Sequence, residues 1–182
     1  MTKYLKYEGP TDPKLMGGFM NTVSYKGFTL NTLFTFSAGN KIRLNPFFAT
    51  SYSDLDALPT EFKDRWILPG DEAFTNVPSI PDVSQASSIS GKYPYNAYNY
   101  SSARVADGGF IRLKQVSLSY SFKDRIAKII GANNASLSLV ANNFWLIYSD
   151  KKLRGQDPEF FASGGVALPI PKQYTVSLKV GF

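Results

Sequence analysis

The chain has 182 residues, a formal net charge of +6, and neither cysteine nor histidine. Without these two residue types there is no disulfide framework or thiolate metal site, and the commonest general base and transition-metal ligand is missing, so we predict no cofactor and no enzyme activity. The 20 lysine and arginine residues are scattered, which is typical of solvated loops and does not predict a nucleic-acid partner.

Five segments alternate between apolar and polar residues, which is the period of a β-strand. They predict strands at residues 16–25, 28–38, 109–122, 135–146 and 173–182. The alternation has two interruptions. In the third segment Arg112 and Lys114 share the parity of apolar Val116, and in the fourth Val140 falls among the polar positions.

The two faces of these strands differ in a way that distinguishes membrane barrels from soluble sheets. The polar face carries mostly Ser, Thr, Asn, Gly and Gln, whereas a soluble sheet would present charged residues to water. The apolar face carries aromatic residues near strand ends, namely Tyr120, Phe122, Trp145, Tyr174 and Phe182. Apolar lipid-facing residues, aromatic girdles and a polar lumen are the pattern of an outer-membrane β-barrel. We therefore predict an all-β fold, an antiparallel transmembrane β-barrel segment, with Arg112 and Lys114 beyond the lipid band.

The same alternation leaves a second interpretation open, a soluble β-sandwich module that binds glycans. Such a protein would pack the apolar faces of two sheets against each other and expose the Ser/Thr faces to water. A helical membrane protein is excluded, because no stretch approaches the 18 apolar residues of a membrane helix.

The connections between the predicted strands alternate in length. Lys26-Gly27 predicts a two-residue hairpin turn, and residues 123–134 form a second short connection. Residues 39–108 and 147–172 form long connections. Short turns on one side and long loops on the other are typical of outer-membrane barrels, so we predict that both long loops are external.

Two helical segments are predicted within these connections. An amphipathic helix from Asp124 to Gly131 would place three isoleucines on one side. A helical turn is predicted from Thr60 to Trp66, after a proline. The rest of the longest loop is rich in Pro, Ser, Asn and Tyr, which predicts irregular structure.

Several motifs, in a consistent order along the chain, give it a family resemblance. The most specific match is Arg104, Asp107-Gly108, Phe110-Ile111-Arg112-Leu113-Lys114, Val116, Leu118 and Tyr120. The other matches are Asp12-Pro13-Lys14, Gly17-Gly18-Phe19, Asn21, Tyr25-Lys26-Gly27-Phe28, Asp64-Arg65-Trp66, Pro69-Gly70-Asp71, Asn143-Phe144, Gly155, Asp157-Pro158-Glu159, Pro169, Pro171-Lys172 and Phe182. Over almost its whole length, the chain resembles the C-terminal part of SusC/RagA-type TonB-dependent outer-membrane transporters.

The resemblance implies strands 18 to 22 of a 22-stranded barrel in the outer membrane of a Gram-negative bacterium. The family imports oligosaccharides or peptides with energy from TonB, under a SusD-like surface lipoprotein. Its signal peptide, TonB box and plug domain lie upstream of what residues 1–182 resemble, and no apolar signal segment follows Met1. We therefore expect contact with the TonB complex only through that N-terminal part. Because five strands cannot close a barrel, we also expect the fragment alone to be inactive.

Two groups of residues are candidate functional sites. The first is a barrel-assembly signal, which the barrel-assembly machinery would read as it does in the families that the chain resembles. It consists of Tyr174, Val176, Leu178, Val180 and Phe182. The second is a loop whose aromatic rings and amides suit sugar or peptide ligands. Its tyrosines are Tyr93, Tyr95, Tyr98 and Tyr100.

Two carboxylate pairs offer oxygen ligands of the kind that Ca²⁺ prefers, Asp54 with Asp56 and Asp157 with Glu159. Neither pair is accompanied by a loop centred on glycine, so we predict no metal site. We expect the segment Gly155-Gln156-Asp157-Pro158-Glu159 to form a fixed turn instead.

Overall fold

The computed structural model describes residues 5–46, 60–89, 94–122, 129, 131–161 and 170–182. The chain divides into two compact units. The loop unit comprises Met1–Glu8 and Arg43–Val105, and the sheet unit comprises Gly9–Ile42 and Ala106–Phe182.

Five long strands form one antiparallel sheet in the sheet unit. They are β1 (Leu15–Tyr25), β2 (Phe28–Ala38), β5 (Phe110–Ser121), β6 (Asn134–Tyr148) and β7 (Gln173–Gly181), in the order β1-β2-β5-β6-β7. Two short strands, β3 (Lys41–Arg43) and β4 (Val105–Asp107), pair with each other. The five long strands confirm the five predicted from the alternation, with boundaries that differ by at most two residues.

The turn between β1 and β2 is the predicted two-residue hairpin. Lys26 and Gly27 have φ values of 46° and 89°. Hairpin turns of this length require positive φ at both central residues when they are of type I′, and glycine adopts such a conformation without steric penalty. The carbonyl of Gly27 also accepts a hydrogen bond from the N–H of Ser121 (2.9 Å), which ties the turn to the end of β5.

A β-bulge in β5 explains why the alternation breaks at Arg112 and Lys114. Two consecutive residues of β2 pair with Gln115 and Leu113, so Lys114 is an extra residue in β5. One extra residue reverses the faces on which all preceding side chains lie. Leu113 therefore continues the apolar face of Val116, and Arg112 lies on the polar face.

The same end of the sheet contains further irregularities. β6 shifts its register against β5 where it pairs with residues 111–115. Asn143, which lies in this part of β6, has a φ of 51°. Bulges are common at the rims of barrels, where they redirect side chains or end the pairing of strands.

In the described residues of the sheet unit, the strands leave most of their large apolar side chains exposed. One small cluster contains Ala132 and Ala135, with Phe122 and Val180 packed against it. A soluble sandwich would bury its apolar faces between two sheets. In the described residues the second sheet is only the short β3–β4 pair, so the structure does not favour the soluble alternative.

The loop unit has its own small core, formed by Phe62 and Val77 with Ile80 and Tyr98 packed against them. Arg104 is buried beside this core, where it forms an ion pair with Glu61. The Arg104 guanidinium also donates to the carbonyl of Asn45 (2.5 Å) and lies 5.7 Å from the centre of the Tyr98 ring.

The longest connection is more regular than its composition predicts. The predicted helical turn is present as a 3₁₀ helix at Thr60–Asp64. Where irregular structure was expected, the chain forms two short helices, α1 (Val83–Ile89) and α2 (Pro94–Asn99). The expectation was wrong because polar side chains can cap short helices. The N–H of Gln85 donates to the Asp82 carboxylate (2.7 Å), and the N–H of Asp82 donates to the Gln85 side chain (3.2 Å).

The helix predicted between Asp124 and Gly131 lies largely outside the described residues. Gly131, which was expected to end it, has a φ of 73°, the left-handed conformation common just after a helix.

In the part of the chain that the structure describes, no helix is both long and apolar enough to cross a membrane.

Candidate functional site

One face of the five-stranded sheet is apolar from edge to edge and remains exposed. A single row of directly paired residues crosses all five strands: Val23, Leu30, Leu118, Leu139 and Val176. These side chains are between 38% and 69% exposed. Because exposed apolar surface of this extent is unfavourable in water, the face is suited to contact lipid or a protein partner.

Aromatic side chains lie toward both ends of this apolar face. At the Lys26-Gly27 end, Phe28 and Tyr120 have ring centres 4.4 Å apart, and Tyr120 packs edge-on against Phe122 at 5.1 Å. At the opposite end lie Trp145 and Tyr148, both more than half exposed. Between the two ends, Phe28 to Phe36 of β2 spans about 26 Å at about 3.3 Å per residue. This length matches the apolar band of outer-membrane barrels, which is about 25 Å tall.

The opposite face of the sheet carries hydroxyl and amide groups that bond to one another. The Thr22 hydroxyl donates to the Asn31 side chain (2.7 Å), and the hydroxyls of Ser24 and Thr29 are 3.1 Å apart. Such a polar surface is compatible with water, whereas the exposed apolar face on the other side of the sheet is not.

A charged cluster fastens the connection after β6 onto the polar face of the sheet. Arg112 Nη2 lies 2.5 Å from the Asp157 carboxylate, and only 4% of each side chain is exposed. Arg112 Nε is 3.5 Å from Glu159, whose other oxygen is 3.7 Å from Lys114 Nζ. The Asp157 carboxylate also accepts the N–H of Glu159 (3.1 Å), consistent with the predicted fixed turn.

The structure places the predicted assembly signal along the edge strand β7. Tyr174, Val176 and Leu178 are about two-thirds exposed on the apolar face, where they pair with β6. Val180 shares that face but packs beside Ala132 and Ala135, and Phe182 follows the strand with 85% of its surface exposed.

The four candidate ligand tyrosines are not brought together. Tyr98 is half-buried in the core of the loop unit. Tyr100 is 68% exposed, and its ring centre is 5.9 Å from the Arg43 guanidinium. Tyr93 lies outside the described residues, and the structure does not describe the side chain of Tyr95.

Tyr98 instead lines a cavity of about 860 Å³ within the loop unit. The sequence interpretation missed the other side chains that define its character, above all Trp66, Asn76 and Gln85. The remaining lining residues are Pro78, Ser79, Pro81, Ser88, Ser101, Ser102 and Ala103. These residues come from several separate segments, so no local pattern in the sequence predicts the cavity. The one signal was Trp66, an aromatic residue just before the Pro69-Gly70-Asp71 turn.

A compact turn after Trp66 fixes the position of its indole ring. The indole Nε1 donates to the carbonyl of Thr75 (2.6 Å), and the Trp66 N–H donates to the carbonyl of Val77 (3.0 Å). Within the turn, the Asp71 carboxylate accepts the N–H groups of Ile67 (2.8 Å) and Leu68 (2.9 Å). These two backbone hydrogen bonds, that from Leu68 foremost, lower the pKa of Asp71 below its ordinary value.

Of the two carboxylate pairs considered as metal ligands, the structure describes only Asp157 and Glu159. Asp54 and Asp56 lie outside the described residues, and the charges of Asp157 and Glu159 are directed at Arg112 and Lys114. No group of three or more carboxylates within the described ranges is arranged to hold a metal ion.

Comparison with known proteins identifies relatives by sequence. The chain is 30% identical to TonB-dependent receptor P39 of Formosa agariphila over 84% of its own length and 14% of that protein. It is 29% identical to TonB-dependent receptor P26 of the same organism over 93% of its own length and 17% of that protein. The chain thus spans less than one fifth of the length of these curated relatives. No protein-family model matches the sequence.

Solved structures show the same fold. Structures of the RagAB peptide importer in the open-open and closed-closed states match 97% of this chain and 18% of theirs, with TM-scores of 0.65 and 0.66 and 22% identity. The relatives and neighbours are named as receptors and importers, which confirms the prediction that the chain is not an enzyme. By sequence the chain is related to the TonB-dependent receptors, of which it matches a part, and its fold is that of the matching part of the RagAB structures.

Proposed function

We propose that this chain is the C-terminal barrel segment of an outer-membrane nutrient importer that takes up oligosaccharides or peptides with energy from TonB. The five long strands would be strands 18 to 22 of a 22-stranded barrel. The apolar face would contact lipid and the polar face the water-filled lumen. The observation that carries this proposal is the apolar face itself, which crosses five strands of a single sheet and stays exposed.

The relatives support the proposed location and partners. TonB-dependent receptors are outer-membrane proteins, which agrees with the lipid-facing surface of the sheet. The structural neighbours are structures of the RagAB peptide importer. By analogy, we assign this protein a SusD-like surface lipoprotein as its partner and the TonB complex as its energy source, contacted through sequence upstream of this segment.

In this proposal the edge strand β7 and Phe182 form the signal that the barrel-assembly machinery recognises. The alternating side chains of β7 lie on the apolar face, and the strand lies at an edge of the sheet, where it is open to pairing. The other edge is β1, so the described sheet does not close on itself. We therefore infer that the segment by itself transports nothing.

The experiment that tests this function is fractionation of cells that express the whole gene containing this segment. An antibody against residues 93–100 should detect the protein in outer membranes, where it should resist alkaline carbonate and dissolve only in detergent. Uptake of the nutrient should stop when a protonophore collapses the proton gradient that drives TonB. Release of the protein without detergent would contradict the proposal and restore the soluble glycan-binding sandwich.

A further inference from the structure

The first half of the connection between β6 and β7 folds back onto the sheet. Residues 149–161 of this connection belong to the sheet unit. The side chains of Leu153 and Asp157 in this segment are buried, and so is that of Arg112 on the polar face of the sheet. On the same face, Ser117 lies nearer the Lys26-Gly27 end and remains partly exposed. The segment therefore covers one end of the polar face.

Two contacts hold this segment in place. Near its start, the Asp150 carboxylate accepts the N–H of Asp107 (2.7 Å). Farther along, the Asp157 carboxylate lies 2.5 Å from Arg112 Nη2, and only 4% of each side chain is exposed. A buried charge without a partner is strongly unfavourable, so the pair of Arg112 and Asp157 fixes where the segment meets the strand.

The Arg112 anchor lies at the depth of the apolar band. Arg112 pairs with Thr35, which stands between Phe34 and Phe36 on β2, and with Leu146 on β6. The two phenylalanines lie on the opposite, apolar face, because successive side chains of a strand alternate between faces. The segment therefore meets the polar face at the level of the outermost apolar row of β2, on the side of the sheet away from that row.

We propose that residues 149–161 fold into the outer mouth of the lumen, where they narrow the path of the substrate, and that Arg112 is the residue that positions them. The inference rests on the proposed function, in which the polar face lines the lumen. Loops that fold inward narrow or plug the lumen of outer-membrane barrels. The exposed side chains of the segment, including Lys151 and Gln156, then belong to the lumen wall that a substrate passes.

The bulge in β5 gives this anchor its direction. Lys114 is an extra residue in the strand, and it puts Arg112 on the polar face. Without the extra residue Arg112 would lie on the apolar face, where a guanidinium group in contact with lipid is unfavourable. Lys114 is also 3.7 Å from Glu159, whose side chain is 35% exposed, so this second contact to the segment is the weaker one. The strand thus departs from regular pairing at the point where the segment attaches.

The test is labelling of single cysteines in the purified protein, made from the entire coding sequence that contains this chain. Residues 1–182 contain no cysteine, and any cysteine elsewhere in the gene product is replaced by serine. Gln156→Cys places a thiol on an exposed residue of the segment, and Phe74→Cys places one in the loop unit, where the side chain is 91% exposed. The probes are N-ethylmaleimide and a maleimide joined to a long polyethylene glycol chain.

Both thiols should react with N-ethylmaleimide, which is small enough to enter the lumen. The bulky probe should label Phe74→Cys readily. Relative to N-ethylmaleimide, it should label Gln156→Cys at least about tenfold more slowly than Phe74→Cys, because the thiol is reached only when the segment leaves the lumen.

Matched variants link this protection to the anchor. Asp157→Asn removes the charge that pairs with Arg112 and should speed bulky labelling of Gln156→Cys at least about tenfold. Glu159→Gln changes a carboxylate of the same segment whose contacts are longer and more exposed, and should speed it less than about threefold. Asp12→Asn, which changes an exposed carboxylate outside the segment, should leave the rate unchanged.

Rapid labelling of Gln156→Cys by the bulky probe in the otherwise unmodified protein would overturn the inference, and so would equal effects of Asp157→Asn and Glu159→Gln. The first of these readouts needs no change in the anchor, so it decides the matter even if Asp157→Asn fails to fold. Failure of the proposed function is distinguishable. A protein released from cells without detergent loses the transporter function, whereas an outer-membrane importer with a freely labelled segment keeps that function and loses only the narrowed mouth.

Discussion

At the scale of single residues, Arg112 shows how one side chain connects the sheet to a loop. The bulge at Lys114 turns Arg112 to the polar face, where its guanidinium meets the carboxylate of Asp157 at 2.5 Å. The Phe110 ring centre lies 5.6 Å from the guanidinium carbon. A buried ion pair contributes little net stability against an apolar replacement, but removing one partner leaves the other charge buried and unpaired.

We therefore expect Arg112→Met to lower the free energy of unfolding by about 3–5 kcal/mol. The double variant Arg112→Met/Asp157→Leu should recover most of the loss, because it removes both charges. The measurement is the heat-induced unfolding midpoint of the full-length protein in outer membranes. Lys6→Ala is the control, since Lys6 forms an ion pair whose lysine is 73% exposed. If the unfolding midpoint of Arg112→Met is unchanged, like that of the Lys6→Ala control, the buried pair has no stabilising role.

Asp71 gives a pH dependence that is confined to its turn. Its pKa is lowered by the N–H groups of Leu68 and Ile67, so folding of the turn favours the charged carboxylate. The stabilisation is therefore fully present above the ordinary value of 3.8 and is lost as the pH falls through the lower value of the folded turn.

Hydrogen–deuterium exchange of residues 67–74 should report this change. At pH 6, Asp71→Ala should exchange faster than the unmodified protein, and at pH 2.5, which is below the ordinary value of 3.8, the difference should be smaller. Asp12→Ala, which removes an exposed carboxylate elsewhere, should show no difference at either pH. A difference that is as large at pH 2.5 as at pH 6 would mean that the carboxylate charge does not hold the turn.

At the scale of secondary structure, neighbouring residues of β7 lie on opposite faces of the sheet. Val176 is on the apolar face and pairs with Leu139, whereas Ser177 is on the polar face and pairs with Ser138. The two positions are adjacent, about 3.3 Å apart along the strand, so they lie at nearly the same depth. They therefore form a matched pair for testing which face meets lipid.

Val176→Arg should destabilise the assembled barrel by about 2–4 kcal/mol, the cost of arginine near the middle of a bilayer. Ser177→Arg should cost less than about 1 kcal/mol, because its guanidinium would extend into water. The amount of heat-resistant protein in outer membranes measures both effects. Equal losses for the two variants would show that the faces are not assigned to lipid and lumen as proposed.

At the scale of the whole molecule, the sheet has two edges that are open in the described residues, β1 and β7. An open edge presents unpaired backbone N–H and C=O groups, which are especially unfavourable in lipid. The proposed barrel removes both edges by pairing them with strands that lie outside this chain.

Residues 1–182 produced alone in detergent should therefore associate through their edges, whereas the complete gene product should be monomeric. Size-exclusion chromatography with light scattering distinguishes the two. A stable particle containing one 20.2 kDa chain would contradict the expectation, since it would require a sheet that tolerates both open edges.

The sequence predicts the long strands well because their alternation depends only on neighbouring residues. The prediction of which side chains share a face fails at Lys114, because one extra residue in β5 reverses the faces of the residues before it. Composition does not reveal such an extra residue. The sequence-based prediction also fails at the tyrosine loop. Tyr98 and Tyr100 are close in sequence, but residues two apart at the end of a helix point in different directions. The cavity beside Trp66 could not be predicted, because its wall combines segments that meet only in the folded loop unit.

Within the sheet unit, the residues that follow β2 meet the residues that precede β5. There Lys41 Nζ and the Asp107 carboxylate are 3.0 Å apart, and the N–H of Gly108 donates to the carbonyl of Asn40 (3.0 Å). Any segment inserted between these residues starts and finishes at one place, so its length hardly affects the closure of the chain. Segments of different length in place of residues 43–105 should therefore leave the register between β2 and β5 unchanged.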